Sequence, residues 1–84
     1  MQKPDLREEI MQLAAKRGPD ASLCPSEPAR SFFGPAWRDH MPDVRETAAR
    51  LAEAGKIRVT QKGQPVDIRT AKGPVRLRLR EEGG

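Results

Sequence analysis

The sequence predicts an α+β domain of winged helix-turn-helix type: three helices followed by a two-stranded antiparallel hairpin with a long wing. Two observations carry this expectation. Apolar residues recur at the helical period of about 3.6 up to Gly55, then switch to the period of about 2 that marks half-buried strands. Gly18-Pro19, Gly34-Pro35 and Gly55 cut the helical part into three segments.

The first helix is expected over Asp5 to Arg17. Leu6, Ile10, Leu13 and Ala14 share one face, and Asp5 with Glu8 forms the pattern of a capping box. Acids in the first turn and Lys16-Arg17 in the last suit the macrodipole. Residues 20–23 form a link with room for one short strand. The second helix is expected over about Ser26 to Phe33, with Ser26 as its cap and Pro28 tolerated in the first turn. A start with Cys24 as cap and Pro25 at the first helical position is the alternative. In the third region Trp37, Met41, Val44, Ala48 and Leu51 line one stripe, and Pro42 interrupts it. A short helical turn over 36–41, then a main helix over 42–54 with Gly55 as its left-handed stop, is the expected result. Ile57 and Val59 then alternate with Arg58 and Thr60, and Val75, Leu77 and Leu79 with Arg76, Arg78 and Arg80. Residues 62–73 between these strands read as an extended arm with turns at Lys62-Gly63 and Lys72-Gly73-Pro74.

At 84 residues the chain is expected to form one domain, ordered over about 5–80, with a flexible acidic tail at 81–84. No apolar run approaches the roughly 20 residues that span a bilayer, so no membrane partner is expected. The start lacks an apolar signal core, and one cysteine, Cys24, excludes an internal disulfide framework. A cytoplasmic protein is the expectation.

The net charge of +4 conceals a strong asymmetry. Residues 1–55 hold eight Lys/Arg and nine Asp/Glu, whereas residues 56–80 hold eight Lys/Arg and one Asp. A balance of −1 against +7 within so small a chain points to a polyanionic partner, or to a solvated basic face.

Four stretches, "CPSEPAR" (24–30), "WRDHMPDVRETAARL" (37–51), "GKIRVTQKGQPVD" (55–67) and "RTAKGPVRL" (69–77), resemble a family of short bacterial winged-helix-like proteins catalogued as a domain of unknown function. The resemblance runs from about Leu6 to Leu79. It departs at Pro28, where the pattern has an apolar helix former, which bears on where the second helix starts. It implies the architecture and supplies no activity, cofactor or catalytic residue.

Function must therefore come from the side chains. Lys62, Arg69 and Lys72 lie on the arm, where flexible cations beside glycine N–H groups can hold phosphate oxygens. The competing reading pairs Asp67 with Arg69 or another nearby cation and merely stiffens the loop. In the third helical region Arg38, Arg45 and Arg50 are the candidate groove readers, with Thr47 in support. Asp43, Glu46 and Glu53 on the same helix would repel phosphates unless pairs such as Glu46–Arg50 neutralise them. Arg76, Arg78 and Arg80, with Arg58 beside them, read as a solvated ladder on the outer sheet face. Trp37 could stack on an unpaired base, but its place in the apolar stripe favours the core. His40 stands alone and Cys24 has no histidine near it in sequence. With no phosphate-binding loop, G-x-S-x-G or C-x-x-C, neither an enzyme nor a cofactor nor a metal is expected.

The leading expectation is a nucleic-acid-binding domain, DNA ahead of RNA, held mainly through backbone phosphates. Lys62, Arg69 and Lys72 would grip the backbone while Arg38, Arg45 and Arg50 approach the groove. The alternative is a non-catalytic protein-interaction module that meets an acidic protein partner.

Overall fold

The computed structural model describes residues 5–80; the expected acidic tail at 81–84 lies outside them. The chain is α+β. Its elements are α1 (Leu6–Arg17), β1 (Ser22–Leu23), α2 (Ser26–Phe33), a 3-10 helix (Gly34–His40), α3 (Met41–Glu53), β2 (Ile57–Gln61), β3 (Gln64–Pro65) and β4 (Arg76–Leu79). The strands form one antiparallel sheet in the order β1-β4-β2-β3.

Local chemistry explains most helix ends. Asp5 Oδ1 accepts the Glu8 N–H at 2.9 Å, which satisfies a first-turn donor of α1. Helix α2 spans Ser26–Phe33 as expected, but its cap differs. Ser26 makes no capping bond, and Pro25 already has helical dihedrals and accepts the Ala29 N–H through its carbonyl. The side chain that closes this end is Glu27, whose Oε2 accepts the Cys24 N–H at 2.9 Å. Pro25 rather than Ser26 or Cys24 thus holds the cap position, and the glutamate reaches back to a donor that the serine leaves free. At the end of α3, Gly55 has φ 77°, its N–H donates to Ala52 O, and the Lys56 N–H donates to Leu51 O. These two bonds form a Schellman motif, which needs a left-handed residue at that position.

Two departures concern the hairpin. The expected two strands, β2 and β4, do pair, but β1 and β3 extend them to a four-stranded sheet. The extended arm over 62–73 is also replaced by something more compact. Lys62 and Gly63 both have positive φ (52° and 80°), the geometry of a tight two-residue hairpin turn, so the chain reverses at once into β3. Residues 66–75 then fold back against α3, anchored by Ile68, which is only 2% exposed. The apolar gain at Ile68 and Val75 outweighs the freedom of a solvated arm.

The core joins Ile10 and Ala14 of α1, Val44, Ala48 and Leu51 of α3, and the inward strand residues Leu23, Ile57, Val59 and Leu77. Ala29 of α2 completes it, and Trp37 packs at its edge. Alternation along β2 and β4 leaves the opposite face of the sheet to the polar residues.

Candidate nucleic-acid interface

That outer face is built by the strand register. Arg58 on β2 stands directly across from Arg78 on β4, and Arg78 in turn faces Ser22 on β1. One step along, Thr60 faces Arg76. Arg80 N–H donates to Lys56 O at 3.2 Å, so Lys56 and Arg80 continue the same rows beyond the strand ends. Lys56, Arg58, Arg76, Arg78 and Arg80 are all exposed. Among the described residues none of the five enters an ion pair. Arg76 is nevertheless held down: its Nε donates to Ser22 Oγ (2.9 Å) and its Nη2 to Ser22 O (3.2 Å). Like charges directly across a strand pair are destabilising, so the Arg58–Arg78 pair concentrates positive potential at a small cost to the fold.

The surface expected to read a groove has a different character. Arg69, on the connection after β3, makes a fork to Glu46 of α3: Nε to Oε1 at 3.0 Å and Nη2 to Oε2 at 2.9 Å. It also meets Glu53 at 3.0 Å. Arg50 adds a bond from Nε to Glu46 Oε2 at 3.2 Å. Hydrogen bonds from Arg69 first, and from Arg50 second, hold the Glu46 carboxyl well below its ordinary range, at about 2. Arg45 points inward from the same helix, and its Nη2 donates to Ile68 O (3.1 Å) and Ala71 O (2.9 Å). Asp67 does not pair with the Arg69 guanidinium. Its Oδ1 accepts the Arg69 backbone N–H at 2.9 Å and so shapes the turn before it. Thr47 is likewise engaged within its own helix, its hydroxyl donating to Asp43 O at 2.8 Å.

The six sequence candidates therefore part company. Arg45 and Arg69 fasten the connection to α3, and Arg50, exposed, pairs with Glu46. Lys62 projects from the β2–β3 turn and Lys72 from the connection, both exposed. Lys72 O accepts the Gln61 side-chain N–H at 2.6 Å, which pins the backbone there and leaves the ammonium outside. Arg38 sits elsewhere, its guanidinium 5.0 Å from the Trp37 ring centre, with Arg30 at 4.7 Å. His40 stacks on Phe33 at 4.0 Å. No aromatic ring lies on the sheet face; Phe32, Phe33 and Trp37 belong to α2 and the 3-10 helix. This sheet face, on which the described residues place no carboxylate, lies outside the sequence candidate set, although the alternation of arginine with apolar residues after Gly55 already marked it.

Among the described residues no three His, Cys, Asp or Glu side chains group as a metal site would require. Among the described residues no helix is long and apolar enough to cross a membrane. No curated protein matches the sequence. A family model described as a protein of unknown function does match, over residues 3–80, and the chain belongs to that family, DUF3253.

Proposed function

We propose that the chain is a winged-helix module that holds duplex nucleic acid through its backbone phosphates, with DNA as the leading duplex, and that the outer sheet face is the gripping surface. One observation carries the reading: among the described residues five exposed cations share that face with no carboxylate among them, Arg58 opposite Arg78. The order β1-β4-β2, with β1 between the first two helices and β2 and β4 after the third, supports the winged-helix assignment. Arg76, Arg78 and Arg80 span about 13 Å along β4 and the residue after it, long enough to reach more than one backbone phosphate. The absence of aromatic side chains from the face argues for phosphate contact over base stacking. Lys62 extends the surface at the hairpin tip.

The test is fluorescence anisotropy with a random-sequence DNA duplex of about 20 base pairs, and a matching RNA duplex, across a salt series. Five phosphate contacts give a slope of log K against log salt of about −4.5, and Arg58→Ala/Arg78→Ala reduces it to about −2.7. If that double variant binds like the parent while Lys62→Ala/Lys72→Ala loses binding, the grip lies on the hairpin and connection instead.

A further inference from the structure

Strand β3 is only two residues long and pairs with Thr60 and Gln61 alone. Beyond its end the Val66 N–H still donates to Val59 O, and past that point, beside Ile57 and Arg58, a cleft of about 500 Å3 opens at the margin of the sheet. Ala52 from the last turn of α3 and Val66 form an apolar wall, Gly63 and Pro65 close one end, and Arg58 and Arg78 stand on the rim.

We propose that this cleft docks an extended acidic segment of a partner protein, one in which an aliphatic residue lies between two carboxylates. Charge complementarity selects the occupant. The two rim guanidiniums pair with no carboxylate among the described residues, and a guanidinium accepts a carboxylate in a two-bond fork. Shape supplies the remainder. In an extended chain alternate side chains point to opposite sides, so two carboxylates turned to the arginine rim place the residue between them against Ala52 and Val66. A second copy of this chain fits poorly, because it would bring its own Arg58 and Arg78 to the same rim. The inference goes beyond nucleic-acid binding and does not depend on it, but it uses Arg58 and Arg78, so the acidic segment and a duplex would compete for the face.

The experiment titrates a seven-residue peptide of alternating glutamate and valine into the 15N-labelled full chain, without nucleic acid. Two variants decide the matter. Arg58→Ala/Arg78→Ala should weaken binding about tenfold or more. Ala52→Arg fills the cleft with a longer side chain while adding positive charge, at a helical position that suits arginine. Docking in the cleft predicts that Ala52→Arg weakens the peptide about fivefold or more, with wild-type shifts centred on Ala52, Thr60 and Val66. Tighter binding to Ala52→Arg, or shifts spread evenly over all the arginines, would mean unspecific attraction and overturn the proposal. So would no binding to the wild-type chain, or a concentration-dependent dimer that perturbs the same residues without peptide. A melting curve for Ala52→Arg matching the parent establishes that lost binding is not lost folding; Val66→Arg, which blocks the same wall, serves if Ala52→Arg unfolds. Duplex binding retained by Ala52→Arg separates a failure here from a failure of the nucleic-acid reading.

Discussion

Replacing Ile68 with alanine tests whether residues 66–75 form part of the packed fold or a solvated arm. Ile68 lies in a polar stretch, and its side chain is 2% exposed within the core that α3 and the sheet enclose. The substitution removes three carbons. At about 0.8 kcal/mol per buried methylene the transfer loss is about 2.4 kcal/mol, and the residual cavity raises the cost to about 3–4 kcal/mol. A chain of this length has a total stability of roughly 4–13 kcal/mol, so the loss is a large share of it. Urea unfolding followed by the fluorescence of Trp37 provides the assay, with Ile68→Val as a milder companion costing about 1 kcal/mol. The expected result is a midpoint shift at unchanged slope, accompanied by a melting temperature lower by roughly 12–30 °C. A loss below about 1 kcal/mol would refute the packed connection and restore the picture of a free arm.

Two further outcomes follow from the connection and the turn beside it. Because Arg69 and Arg50 depress Glu46 from 4.5 to about 2, its contribution to stability is present above pH 4.5 and is lost as pH falls towards 2. Melting curves from pH 6 down to pH 2 should therefore show the gap between the parent and Glu46→Gln narrowing through that window; a constant gap would exclude the linkage. Gly55→Ala forces a β-carbon into a left-handed conformation (φ 77°), 3.4 Å from Arg80 Nη1. The expected cost is about 1–2 kcal/mol, read as a lower melting temperature, and an unchanged melt would contradict the strained geometry.

The helices were legible in the sequence because their stops are chemical: Gly18, Gly34 and Gly55 all take positive φ, and the apolar stripes between them are periodic. The facing of Arg58, Arg76 and Arg78 was legible for the same reason, since alternation alone fixes which side of a sheet a residue takes. Ile68 was not. One apolar residue in a polar stretch has no period, and its burial depends on a fold-back that begins with two positive-φ residues at Lys62-Gly63. The fate of Arg69 was equally hidden, because its carboxylate partners lie 23 and 16 residues away. The acids of α3 looked like an obstacle to phosphate binding; seven residues apart on one helix face, Glu46 and Glu53 instead form a receptor for that arginine. Glu27 was overlooked at the start of α2 because serine is the commoner cap.

The last of the described strands lies inside the sheet, between β1 and β2. Leu77 of β4 is partnered on one side by Leu23 and on the other by Val59, residues made long before it. As the chain leaves the ribosome, α1 to α3 and the β2–β3 hairpin can each take local form, but the sheet that covers them cannot close until β4 arrives. The sheet therefore closes only once β4 has been made, and until then the apolar faces of the helices need shielding. Cleavage between Lys72 and Arg76 would cut the covalent link to the strand that pairs with both Leu23 and Val59, so damage there acts on the whole sheet.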